Sequence, residues 1–232
     1  MDYVGEELDL FQGATNWKSY WSQYVRPYMT GRALEVGAGL GGNIPYLVDK
    51  VDTYTALEPD EVMAKKINDS QTVEHKKKLN IVCGTLENLS ATDTYDTIVY
   101  IDVLEHIDDD QSEFNLAVSH LSSGGYLIML CPAHQYLFSP FDAAVGHFRR
   151  HSKNSFRILA ASNVDVTEKQ ISYLDSIGLH ASLANKWFLK ASVPTEKQIL
   201  VWDSMMVPVS RMTDRLSFNM IGKTIIGIWQ KR

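Results

Sequence analysis

The chain has 232 residues, 45% hydrophobic and 22% charged, the balance of a soluble globular domain long enough to bury a core. Its net charge of -6 argues against a nucleic-acid partner. The start, Met1-Asp-Tyr-Val-Gly-Glu-Glu, has no apolar signal core and no apolar run is long enough to span a bilayer, so a cytoplasmic protein is expected.

Residues 1–13 read as a loose arm. Thr15 or Asn16 is expected to cap a helix over 17–29, ended by Gly31. Trp17, Tyr20, Trp21, Tyr24 and Tyr28 share one face of it, either as core or as an aromatic lid over a ligand pocket, with Tyr20 a candidate substrate contact. Ala33 to Val36 is a strand that runs into Gly37, Gly39, Gly41 and Gly42, and 44–48 is helix-forming. Such a strand–glycine turn–helix lets a ligand approach the main chain and offers it N–H groups and a positive helix end. Gly37, Gly39 and Gly42 satisfy a dinucleotide fingerprint. Glu35, two residues before the turn, suits an ammonium better than a pyrophosphate.

A second strand, 51–57, ends at Glu58, 21 residues after Gly37, where a carboxylate can accept both hydroxyls of a ribose. A helix over 60–70 and a solvated face at His75 to Lys78 precede a third strand, 79–83, with Thr85 and Leu86 in its loop. The fourth strand, 95–101, ends at Asp102-Val-Leu-Glu-His106. Asp108, Asp109 and Asp110 read as a helix cap and not as a metal site, and no Cys/His metal spacing occurs. The helix runs to Leu121, 122–125 is a turn, and 126–130 is the fifth strand. Apolar strands alternating with helices imply a doubly wound parallel α/β sheet. Cys83 and Cys131 lie in apolar runs and read as buried thiols of a reducing compartment.

A long loop, 132–151, holds His134, Phe138, Phe141, Asp142, His147, Arg149, Arg150 and His151. A helix from Ser152 to Ser162 and a sixth strand, 164–173, follow. Residues 179–218 are helical and apolar, broken by Pro194 and Pro208, with Trp187, Phe188, Trp202 and Met205 among them. Residues 221–229 read as a closing strand. The whole is one domain, 1–232, with an N-terminal arm and aromatic lid helix at 1–30 and a helical insertion at 179–218.

The order Glu35-x-Gly37-x-Gly39-x-Gly41, Glu58, Asp102-Val-Leu-Glu-His106 and Leu121-Ser-Ser-Gly-Gly-Tyr-Leu127 resembles class I S-adenosylmethionine (SAM)-dependent methyltransferases. The resemblance covers about residues 15–175 and implies a Rossmann-like sheet of seven strands, the last antiparallel, with SAM as cofactor. Pro132-Ala-His134 and Gly146-His-Phe-Arg-Arg150 are similar to a bacterial subgroup with a Pro-Ala-His … Gly-His-Tyr-Arg-Arg-Tyr signature, often encoded beside glycosyltransferases; Phe148 and His151 stand where tyrosines are usual. The resemblance implies that Gly37, Gly39 and Gly41 cradle the methionyl end over Glu35, that Glu58 holds the ribose, that Thr85 and Leu86 flank the adenine, and that Asp102 lies under the sulfonium.

Methyl transfer from a sulfonium is an in-line displacement that needs a base only for a protonated acceptor. His147, in a loop at the strands' carboxyl ends, is the first candidate, followed by His106 and His134. Arg149 and Arg150 are candidates for clamping an acidic acceptor group, with at most one facing it and the other paired to an internal acid. The expected acceptor is a small molecule, a sugar or a lipid-linked glycan, methylated on oxygen or nitrogen. The apolar insertion is compatible with a membrane-surface contact. A nicotinamide-dependent oxidoreductase and a non-catalytic SAM-binding protein are the alternatives.

Overall fold

A computed structural model describes residues 11–184 and 195–232. Its centre is a sheet of β1 (Arg32–Val36), β2 (Thr53–Glu58), β3 (Leu79–Cys83), β4 (Tyr95–Ile101), β5 (Leu121–Pro132), β6 (Val166–Leu174) and β7 (Thr224–Lys231). The strand order is 3-2-1-4-5-7-6. β1 to β5 pair in parallel, whereas β7 is antiparallel to both β5 and β6. The last strand inserted antiparallel departs from the 3-2-1-4-5-6 order of dinucleotide-binding sheets. Ala33, Leu34, Ile98, Val99, Ile128 and Met129 are fully buried, as continuous apolar strands covered on both faces must be.

The helices are α1 (Thr15–Val25), α2 (Ile44–Leu47), α3 (Glu61–Ser70), α4 (Val73–Lys76), α5 (Asp110–Ser119), α6 (Pro140–Ala144), α7 (Lys153–Ala161), α8 (Ser176–Ala184), α9 (Glu196–Val201) and α10 (Val207–Leu216). A π-helical turn, Trp202–Met206, joins α9 to α10. Asp109 caps α5 through the Ser112 N–H, as the acidic run suggests. Trp187 and Phe188 lie outside the described residues.

Three expectations are corrected. Neither Thr15 nor Asn16 caps α1; the N–H groups of Asn16 and Trp17 donate instead to the carboxylate of Asp203, at 3.2 and 2.8 Å, so the cap comes from a residue far along the chain. The 122–125 turn is the bulged start of β5, where the register jumps between the Tyr95–Leu121 and Thr97–Tyr126 pairs. Cys83 is exposed because β3 is the sheet's edge strand, while Cys131 in β5 is buried.

Asp203 is buried, and it also accepts from the Asn16 side chain, tying the π turn to the start of α1. Asp203→Ala is expected to cost about 1–3 kcal/mol, by orphaning two helix-end N–H groups. Urea unfolding measures it; a loss below about 0.5 kcal/mol would show that the cap contributes nothing.

Candidate active site

The turn after β1 is held from below. The N–H groups of Gly37 and Ala38 both donate to the Leu57 carbonyl, at 2.8 and 3.1 Å. Glu58 accepts from the Gly39 N–H at 2.7 Å through one oxygen and from the Asp60 N–H at 2.9 Å through the other. The acid that ends β2 therefore clamps the turn. Gly37 has φ +68°, and a Cβ there would lie 2.7 Å from a Val103 methyl, so glycine is required on both counts. Thr85 and Leu86 follow β3, where Thr85 and Asn88 form a capping box and Leu86 is buried.

Glu35 is fully buried inside β1. Its oxygens accept from the Asn43 amide at 2.9 Å and the Tyr54 hydroxyl at 2.8 Å. Burial pushes its carboxyl up to about 7, against the pull of those two bonds and of the Lys18 charge. Lys18, from α1, donates to the Gly42 carbonyl at 3.2 Å. Burial lowers its pKa, opposed by the charges of Glu35, Asp102 and Asp203. A carboxyl and an amine, each short of a full counter-charge, thus flank the glycine turn. The sequence reading missed Lys18 and Asn43; both sit on patterns that also fit a solvated helix face and an ordinary turn.

A cavity of about 1020 Å³ opens above the carboxyl ends of β1 and β4. Gly37 to Leu40, Gly42 and Asn43 form one wall. Glu105, His106, Asp142, His147 and Arg150 also line it, and Trp17, Trp21, Phe138, Phe141 and Trp202 supply aromatic surface. Asp102 lies between these groups, in the left-handed region at φ +55°, its N–H bonded to the Leu130 carbonyl. That conformation is costly for a non-glycine residue and gathers at functional positions. The protein walls around the cavity desolvate the Asp102 carboxyl, which itself opens into that cavity, and push it up to about 6, opposed by the charges of His147, Lys223 and Lys18.

Asp142 organises the acceptor-side loop. Ser139 caps α6, and the Asp142 carboxylate answers by accepting the Ser139 N–H at 2.8 Å. It also takes a two-pronged contact from Arg150, at 2.8 and 2.9 Å, and lies 2.9 Å from Nδ1 of His147. Burial alone would raise its pKa; the bonds from His147, Arg150 and Ser139 outweigh this and hold it well below the usual carboxylate range. Such a carboxylate takes the Nδ1 proton as a hydrogen bond and leaves Nε2 of His147 as the ring's lone pair. His106 stands edge-on to His147, ring centroids 4.5 Å apart. Burial, with His147 beside it, pushes His106 down to about 4.

The structure brings His106, His147, Asp102 and Arg150 to the cavity with the glycine turn. It does not bring His134, Tyr20 or Arg149. His134 has its Nε2 3.0 Å from the Gly222 carbonyl and its ring against Tyr136 and Tyr173, so it pins the loop to β6 away from the cavity lining. Tyr20 is buried and donates to Asp214 at 2.7 Å, facing away from the cavity toward α10. Arg149 pairs with Asp108 and Asp110 outside it. Both arginines are therefore paired with acids. Glu58, Thr85 and Leu86 lie at the ends of β2 and β3, beside the cavity rather than on its lining.

The raised Glu35 pKa has a measurable sign. The folded state holds this proton more tightly than the unfolded chain, so its contribution is present below pH 4.5 and is lost as pH rises through about 7. Glu35→Gln should remove that slope and be the more stable protein at pH 8, by about 3 kcal/mol at most. Urea unfolding from pH 5 to 8 tests it; parallel profiles for the two proteins would contradict the assignment.

Residues 34–129 match the family model described as a methyltransferase domain. No curated protein matches the chain. Among solved structures it is similar to a geranyl diphosphate methyltransferase in complex with SAM, with 10% identity over 99% of this chain and 91% of that one and a TM-score of 0.66. It is similar to a SAM-dependent methyltransferase from Clostridium acetobutylicum, with 11% identity, 94% and 92% coverage and a TM-score of 0.58. It is also similar to coclaurine N-methyltransferase bound to N-methylheliamine and SAH, with 12% identity, 94% and 72% coverage and a TM-score of 0.62. At such identities the likeness establishes the fold. The matched methyltransferase domain runs from β1 into β5 and so takes in the glycine turn and the strand ends that border the cavity.

Proposed function

We propose that the protein methylates oxygen or nitrogen on a small-molecule, sugar or lipid-linked glycan acceptor. The observation that carries this reading is a single cavity that has the glycine turn on one wall and the Asp142–His147 pair also on its lining. S-adenosylmethionine, when bound, supplies a sulfonium methyl for in-line displacement, so the protein's part is mainly placement. Gly37, Gly39 and Gly41 allow the close approach of its methionyl end. Glu35, through Asn43, and Lys18 supply opposite charges for the ammonium and carboxylate of that amino-acid moiety. The fit is supported by the buried, under-neutralised state of both groups. Glu58 offers its remaining lone pairs to the ribose, Thr85 and Leu86 flank the adenine, and Asp102 lies on the sulfonium side.

Acceptor deprotonation depends on His147. Its support is the fixed tautomer, with Asp142 on Nδ1 and the ring lining the cavity. Arg150 bears on the acceptor only through Asp142, which it braces. Trp17, Phe138, Phe141 and Trp202 offer the flat apolar faces on which a sugar or other ring can stack. Residues 179–218 serve as the acceptor lid, a role supported by Ala181, Ser182, Ile199, Trp202 and Met206 on the cavity lining. The domain is one unit, 1–232, with α1 as part of that lid. The exposed thiol of Cys83 suits a reducing, cytoplasmic setting.

A membrane-surface contact is supported by the outer side of the π turn and α10. Met205, Val209, Met212 and Leu216 recur at helical spacing and are 65%, 47%, 68% and 77% exposed, beside the exposed Arg215. Among the described residues, no helix is long and apolar enough to cross a membrane.

His147→Ala should leave the SAM dissociation constant within about 2-fold and lower turnover about 10²–10⁴-fold. Calorimetry with SAM, beside single-turnover rates, separates the two; collapse of SAM binding would make His147 a structural residue. The wild-type protein should co-sediment with anionic lipid vesicles, and the double variant Met205→Glu/Met212→Glu should not. Equal sedimentation of both, or of neither, would remove the membrane contact.

A further inference from the structure

We propose that Glu105, His106 and His147 form a binding site for a divalent transition-metal ion, open to the acceptor side of the cavity. The proposal rests on the methyltransferase reading for what the ion does, and not for its binding.

One ligand atom from each of the three residues lies within 4.8 Å of the other two. Metal–ligand bonds of about 2.0–2.2 Å require a closer set than this, which small rotations of the three side chains can supply. The cluster also contains an anomaly. Glu105 is fully buried, yet neither of its oxygens has a hydrogen-bond partner. The Cys131 thiol, a weak donor, faces the carboxyl. A buried carboxylate without strong donors is costly, and either a proton or a bound ion resolves it.

The surroundings are built for ligation. The backbone holds both ends of the cluster: the Phe148 N–H donates to the Glu105 carbonyl and the His147 N–H to the Asp142 carbonyl, each at 2.8 Å. Asp142 accepts at Nδ1 of His147, which leaves Nε2 to ligate. A carboxylate behind the imidazole orients a metal-bound histidine and raises its basicity. The His106 ring meets His147 edge-on at 4.5 Å and donates a ring N–H to the Gly146 backbone carbonyl, so one nitrogen of each ring is fixed. Two imidazoles and one carboxylate suit zinc, manganese, iron or cobalt; magnesium and calcium prefer all-oxygen shells.

All three residues line the cavity, so further coordination positions face the acceptor. An acceptor hydroxyl bound there would lose its proton to solvent, acidified by the ion, with His147 then serving as ligand in place of free base; this assigns the site to hydroxylated acceptors. This also gives Asp142 and Arg150 a joint purpose, since they fix the imidazole that the ion needs.

The test uses tag-free, full-length protein stripped with a chelator. Calorimetric titration with Zn²⁺ should give one ion per chain, and Co²⁺ should develop visible d–d bands. Glu105→Gln and His147→Asn should each weaken Zn²⁺ binding by more than about 10-fold. SAM binding is measured on the same samples, and Glu105→Gln should retain it. Absence of one-to-one binding, or equal binding by the wild type and both variants, overturns the proposal. SAM binding without metal binding overturns this site alone, and metal binding without SAM binding overturns the methyl-transfer reading alone.

Discussion

An ionised carboxylate survives burial only where donors converge on it, and this protein uses that requirement to fasten its cavity together. Glu58 holds the glycine turn through the Gly39 N–H. Asp142 gathers Ser139, His147 and Arg150. Asp214 accepts from Tyr20 of α1 and from the backbone N–H groups of Asp175 and Ser176. Asp175 accepts in turn from Trp202 at 2.7 Å and Ser210 at 2.6 Å. Asp175 and Asp214 join segments far apart in sequence and Asp142 closes its own loop; in each case a partial set of donors would leave a buried charge exposed to its full desolvation cost. Removing any one of them loosens a wall of the cavity and not merely a contact.

The sheet was largely legible because its strands are short, apolar and separated by helices. The third and fourth strands begin and end where the apolar runs do. Where the reading failed, a distant partner overrode a local signal. Asp203 replaces the local cap at Thr15 or Asn16. Ser122 to Gly125 look like a turn but lie within β5 as its bulge, between the Tyr95–Leu121 and Thr97–Tyr126 pairs. The π turn at 202–206 has no signature that separates it from ordinary helix.

The site divides the same way. The glycine turn and the acids of β1 and β2, Glu35 and Glu58, are spelled in short local runs, and their spacing alone locates them. The acceptor side depends on which way a side chain points out of a long loop, which no spacing encodes. His134 and His147 look alike in sequence, yet one is locked onto Gly222 and the other faces the cavity. Glu105 is adjacent to His106 in a common strand-end motif, and only its burial without donors marks it as unusual.

These features make one account: rigid acids set two walls, and chemistry takes place between them. The claim that cofactor and acceptor machinery share this cavity is tested most directly by a crystal structure with S-adenosylhomocysteine. The account predicts the homocysteine end against Gly37 to Asn43, the ribose at Glu58, and the sulfur open toward His147. A ligand seated against α9 and α10, or a sulfur turned away from His147, would contradict it.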